Sequence, residues 1–348
     1  MKGESTKAPF APIRDAGGIS PEVVRVSDLR WPTHHVYFTQ RSFTPDDRTL
    51  IVLAKKGEGF DLHKVDIASR EMVRLTEGRS LDYFPFPAWD GKSVIFGNGP
   101  SLWRVALADM QEEELVNVSD LAGRTVTKVG GAYQSCDGAR IVCFYEAKPE
   151  FGLVVYEAAT RKARVIIKGS QPLRHCQFSP LDPRLLVYAH EGKWETIPDR
   201  MWLIRADGSD NRKVRETPKG ERVGHEFWAN RSRTVYFTVY RGEESEIRLK
   251  NLDSGVESLL VTLDNCHSAI HPQDRYLVAD NNRGKADDLN LIDLATRKVE
   301  TLCYPRFSWK ESRFHPHATF STRGDRVVFT SDFEGTAAVY IARLPEGR

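Results

Sequence analysis

The chain lacks most of the features that announce a familiar chemistry. No window of about 18 apolar residues occurs, so no segment reads as a membrane-spanning helix. The first residues, MKGESTKAPFAPIRDAGG, lack the apolar core of a signal peptide. The five cysteines (136, 143, 176, 266 and 303) form no CxxC pair, and an odd, scattered set suits reduced thiols in a cytoplasm. There is no G-x-S-x-G nucleophile elbow and no P-loop. Charge of one sign is also lacking. With 50 basic and 48 acidic residues, the net charge of +2 gives no basic stripe for a nucleic acid.

Helical periodicity is scarce as well. Short β-branched and aromatic runs separated by polar turns take its place, and they repeat. One phrase, an apolar or aromatic residue followed by a small polar residue, a turn and a strand, returns seven times: SFTPDDRTLIVLA (42–54), FPAWDGKSVIFG (86–97), YQSCDGARIVCF (133–144), QFSPLDPRLLVYA (177–189), FWANRSRTVYFT (227–238), AIHPQDRYLVAD (269–280) and TFSTRGDRVVFTSD (319–332). Second phrases such as LHKVDIASREMVRLT (62–76) and LNLIDLATRKVETL (289–302) add strand, turn and strand. Four strands in about 40–45 residues is the period of a propeller blade. A lone blade leaves the faces of its small sheet exposed, and stacking buries them. The expected architecture is all-β, a seven-bladed β-propeller of four-stranded antiparallel blades. It would occupy residues 36–348 as one domain, after an irregular, Pro-containing segment over 1–35. That segment is left either to supply a strand that closes the ring or to pack outside it.

Aligned on the first phrase, His175, His225, His267 and His317 each stand three residues before Phe178, Trp228, Ile270 and Phe320. Gln40 holds that position in the first repeat, three before Phe43, with Tyr37 and Arg41 beside it. In a propeller, equivalent positions of first strands converge at one mouth of the channel. His315, two residues before His317, would join them on the same face if the stretch RFHPHATFS were extended. Such a His-x-His pair would hold a metal, sit in the core or line a wet pore. His267, His315 and His317 give three imidazoles, a set that leaves positions open on a metal, and ligand type favours Zn, Fe, Ni or Cu over Mn. His225 is then free to act as a base. The remaining histidines (34, 35, 63, 190 and 271) read as solvent-facing or structural.

The run HCQFSPLDPRLLVYAHEGKWETIPDRMWLIRADGSDNRKV (175–214), the following GHEFW, and HPHATFS with VVFTSD (315–332) resemble the oligogalacturonate lyases. The likeness extends from about residue 36 to the end of the chain. It implies a cytoplasmic seven-bladed propeller that splits pectin-derived oligogalacturonate by β-elimination, giving 4,5-unsaturated uronates, with Mn²⁺ as the divalent cofactor and an acidic oligosaccharide as partner. Carried over by motif, the metal histidines would be His267, His315 and His317, the base His225, and the substrate-binding arginine Arg200 of DRMW. His175, Gln40, Tyr37 and Arg41 would contact substrate or support those that do. The family's glutamine, three residues before the first histidine of HPH, is replaced by Ser312, where a water or a substrate carboxylate oxygen would fill the fourth metal position. The alternatives are a propeller enzyme acting on another oligouronate and a non-catalytic, TolB-like interaction propeller.

Overall fold

The computed structural model describes residues 1–13, 16–197, 199–242, 244–281 and 288–348. Second strands such as Thr49–Lys55, Ser93–Asn98 and Leu185–His190 are apolar runs buried along almost their whole length. That pattern fits sheets covered on both faces, not strands with one wet side. Short polar turns separate them, and the aspartates in these turns bond their own backbone. Asp90 Oδ1 accepts the Lys92 N–H at 2.9 Å, Asp137 Oδ1 the Ala139 N–H at 3.0 Å, and Asp182 Oδ1 the Arg184 N–H at 2.9 Å. This local bond is why Asp recurs there.

The strands assemble into antiparallel sheets of four or five strands, and the fold is a seven-bladed β-propeller. The first strands of the blades are Thr33–His35, Phe86–Pro87, Lys128–Gln134, Leu173–Phe178, Arg222–Trp228, Ser268–Ile270 and Thr319–Phe320. Two compact units emerge. One comprises Met1–Tyr83, Leu107–Met110 and Asp264–Arg348, holding blades one, six and seven; the other comprises Phe84–Ala106 and Gln111–Leu263, holding blades two to five. Within the first, apolar side chains of blades six and seven interleave, with Leu291, Leu302, Val327 and Phe329 fully or almost fully buried. Within the second, Val142 and Phe144 of blade three pack on Phe178, Leu186 and Tyr188 of blade four.

The N-terminal segment is not irregular. Ser5–Lys7 adds a fifth strand to blade one beside Glu71–Arg74, and Thr33–His35 is that blade's first strand. Val23–Arg25 pairs with the last strand, Ala338–Arg343, so blade seven draws its fourth strand from the start of the chain. These pieces are three residues long, too short to show alternation in sequence.

In three neighbouring blades the first strand carries the same bulge. Gly131–Ala132, His175–Cys176 and His225–Glu226 each set two residues against one on the adjoining strand. The first residue of each pair has a left-handed backbone, with φ of 65°, 50° and 53°. Glycine is the ordinary occupant of such a position, and a side chain there costs about 1–2 kcal/mol. Two histidines hold it nonetheless, and His317 of blade seven has φ 45°. His267 is not among these left-handed residues. The stretch HPH lies outside any strand: a single 3₁₀ turn, Ser312–Phe314, precedes it and Thr319–Phe320 follows. Strand alternation therefore does not bring His315 and His317 together.

His34, His35 and His63 of blade one are buried, at 1–2 % exposure, and are structural. His34 Nδ1 lies 2.8 Å from the His35 carbonyl, and its ring is 4.8 Å from that of Phe60. Burial pushes the His34 imidazole down to about 3 and those of His35 and His63 down to about 4. Folding therefore holds them neutral where the unfolded chain would protonate them. Their contribution is full above the unfolded value near 6.5 and is lost as pH falls below it. Each such group adds a slope of about 1.4 kcal/mol per pH unit between its two values. Urea unfolding at pH 6 and pH 5 should show this, with His34→Phe flattening the slope by about 1.4 kcal/mol per unit relative to wild type.

Candidate functional site

In the unit holding blades one, six and seven, His267, His315 and His317 converge. One ligand nitrogen from each lies within 4.8 Å of the other two. The His267 ring is 4.2 Å from that of His317 and 6.0 Å from that of His315. A carboxylate that sequence reasoning did not single out explains the convergence. Asp280, wholly buried at the end of Tyr276–Asp280, accepts the His267 N–H at 2.7 Å and the His317 N–H at 3.1 Å. Its oxygens also face His267 Nδ1 at 2.9 and 3.2 Å. That contact fixes the ring and leaves Nε2 for a metal, the carboxylate–histidine arrangement common behind metal ligands. His35 assists from blade one, its Nε2 lying 2.7 Å from the Pro316 carbonyl between the two histidines of HPH.

Burial pushes the Asp280 carboxyl up to about 7, against the backbone N–H groups and the nearby His315. Burial pushes His315 down to about 4, so its imidazole offers a lone pair at neutral pH. The donor set fits a divalent ion: three imidazoles with one ring backed by a carboxylate, near the three-ligand pattern that leaves a position open. Aromatic rings wall the cluster. Trp309 lies 4.1 Å from His315, Tyr83 stacks on His317 at 5.6 Å, and Tyr37 lies 4.9 Å from His317 and 5.9 Å from His267. Gln40 is buried in a turn, its N–H bonded to the Tyr37 carbonyl at 2.8 Å, and is not in a strand. Arg41 is half-buried beside it. Ser312 is exposed at the start of the 3₁₀ turn, its carbonyl accepting the His315 N–H at 3.4 Å.

In the unit holding blades two to five, the bulges aim His175 and His225 side by side, rings stacked at 6.2 Å. The residue after His225 completes this second cluster. Glu226, wholly buried, takes the Arg200 Nε–H at 3.0 Å and faces His175 Nδ1 at 2.9 Å. Arg200 Nη2 meets Glu191 at 2.5 Å. A salt bridge from Arg200 to its neighbour Asp199, the alternative that the sequence leaves beside a substrate role, does not form. Asp199 pairs with Lys213 at 2.8 Å instead. The Glu226 carboxyl is held far below its ordinary range; its burial acts the other way, and the Arg200 and His175 charges prevail. Tyr240 Oη lies 2.5 Å from His225 Nδ1. Glu226 and Glu191 stand inside GHEFW and AHEG, where nothing in the local sequence marks an acidic residue for burial.

A seven-bladed β-propeller with an imidazole trio in one unit and a histidine–carboxylate–arginine network in the other is the class these observations define. The profile of the oligogalacturonate lyase family matches residues 1–304, and the chain belongs to that family. It is 26 % identical to the oligogalacturonate lyase of Dickeya dadantii and 25 % identical to the oligogalacturonide lyase of Pectobacterium atrosepticum, in each case over 99 % of this chain and 98 % of the relative. Among solved structures, an oligogalacturonate lyase in complex with manganese superposes with a TM-score of 0.90 at 23 % identity, covering 99 % of this chain and 98 % of that one.

Two outcomes follow from this geometry. Glu226→Ala leaves the Arg200 guanidinium buried without its main counter-charge, and should lower the unfolding free energy by about 3–5 kcal/mol in denaturant melts. Asp280→Asn cannot accept both backbone N–H groups and Nδ1–H together. It should weaken divalent-metal binding about 10–100-fold by calorimetric titration, the usual effect of losing such a backing carboxylate.

Proposed function

We propose that the protein is a metal-dependent lyase that cleaves oligogalacturonate by β-elimination, acting in the cytoplasm where its five free cysteines stay reduced. The observation that carries this reading is the convergence of His267, His315 and His317 in a chain of the oligogalacturonate lyase family. Mn²⁺, the ion bound by the superposable lyase, is the proposed cofactor.

The proton at C5 of a uronate is alpha to a carboxylate and only weakly acidic while that group is anionic. A divalent ion held by His267, His315 and His317 supplies Lewis-acid stabilisation of the charge that develops on this carboxylate. Ser312 stands where the family's glutamine is expected, so a water or a substrate carboxylate oxygen would complete the donor set there. Arg200 binds a substrate carboxylate. Its two ion pairs use Nε and Nη2, and Glu191, about a third exposed, is the partner that a substrate carboxylate replaces, while wholly buried Glu226 stays. His225 removes the C5 proton through Nε2. That role needs the tautomer in which Nδ1–H donates to the Tyr240 oxygen, so Tyr240 sets the lone pair on the working nitrogen. The leaving group departs from C4 and the 4,5 double bond forms. His175 supports Arg200 through Glu226, and Tyr37, Gln40 and Arg41 serve as the substrate-side contacts of blade one.

The test is absorbance of the unsaturated uronate on incubation with oligogalacturonate. Activity should vanish on chelation and return with Mn²⁺. His225→Ala should lower kcat about 10²–10⁴-fold with metal content unchanged. Full activity in that variant would remove His225 as base, and absence of activity with every divalent ion would overturn the lyase reading.

A further inference from the structure

Trp194 stands in HEGKWET (190–196), at the head of the 3₁₀ turn Trp194–Thr196. Its half-buried ring touches both halves of the histidine–arginine network. The ring centroid is 5.7 Å from Arg200 Cζ and 6.1 Å from the ring of Tyr240, whose hydroxyl meets His225 Nδ1. Gly224, one residue before His225, lets both rings lie against the strand: a Cβ there would stand 3.3 Å from Tyr240 and 3.5 Å from Trp194. The Trp194 indole N–H has no partner among the described residues.

Trp194 also lines a cleft of about 770 Å³, with Ile197 and the stretch 217–222 as further walls. That volume is usual for a small-molecule site. Its charges lean positive. Lys219 and Arg222 are exposed there and form no ion pair among the described residues. Glu221 is already held, by Arg215 at 2.6 Å and Arg241 at 2.9 Å. Glu195 is the other carboxylate of the wall, and it is exposed. An aromatic face, an open N–H donor and spare cations, beside an arginine that takes a carboxylate, suit a second uronate residue. The indole face carries the C–H face of a pyranose, the N–H meets a hydroxyl, and the cations draw the carboxylate. The 5.7 Å from Arg200 to the Trp194 ring is close to the length of one sugar residue.

We propose that the Trp194 cleft is a second sugar subsite. It holds the galacturonate residue next to the one whose carboxylate Arg200 binds, with Trp194 stacked on its ring and Lys219 and Arg222 facing its carboxylate. The proposal rests on the substrate role of Arg200 above and deepens it, since the shortest ligand that fills both positions is then a dimer.

Calorimetric titration of the full chain with galacturonate and with digalacturonate, in chelator to prevent turnover, tests it. Wild type should bind digalacturonate at least about tenfold more tightly than galacturonate. Trp194→Ala should lower digalacturonate affinity about tenfold and change galacturonate affinity less than about twofold. Lys219→Ala combined with Arg222→Ala should lower digalacturonate affinity about threefold and flatten its salt dependence. Equal affinity of wild type for the two sugars would overturn the subsite. So would an equal loss for both in Trp194→Ala, which would make Trp194 a support of Arg200 alone. Binding of neither sugar would overturn the substrate role of Arg200 and the subsite with it. The expected binding without any metal-dependent absorbance change would sink the lyase reading and leave the subsite standing. Where Trp194→Ala does not fold, the wild-type ratio and the doubly substituted rim decide.

Discussion

One carboxylate, that of Asp280, joins blade six to blade seven where the histidines meet. Its two oxygens satisfy the backbone of His267, the backbone of His317 and the His267 ring. A buried carboxylate with fewer partners would be costly, and these bonds are what make its position tolerable. Because the backbones of two candidate ligands hang from the same group, neither moves alone. Preorganisation of this kind lets a site hold its geometry before an ion arrives.

The other unit solves a different electrostatic problem. Arg200 is a cation in a nearly closed pocket, and an unpaired guanidinium there would be unfavourable by several kcal/mol. Two carboxylates surround it, one wholly buried and one at the rim. The buried one fixes orientation, and the rim one is the only member that solvent can reach readily. The same bulge that tips His225 out of the strand turns Glu226 into the pocket, so a single local irregularity presents the base and seats the counter-ion.

The blades were legible because their chemistry repeats. Apolar second strands recur seven times and Asp-containing turns six, and each copy reinforces the reading of the others. The histidines were legible by register, although three of them reach it through left-handed backbone that no sequence pattern reports. Blade seven's fourth strand was legible only as one of two fates for the N-terminal segment, since Val23–Arg25 carries no periodicity and gains its meaning only from Ala338–Arg343. Nor were Asp280, Glu226 and Glu191. Among 48 acidic residues, nothing local marks the few that burial will select. Their roles arise from where a bulge or a strand end delivers them.

Blade seven also imposes a schedule on synthesis. Ser27 Oγ accepts the Val339 N–H across 312 residues of sequence, and Val23–Arg25 waits for the same late strand. At about 5–20 residues per second, the early segment spends roughly 15–60 s without its partner. For that time its backbone groups are an open strand edge in a crowded cell. The prolines on either side, at 12, 21 and 32, limit how far an alien strand can pair there. The ribosome, in effect, must finish before the ring can lock.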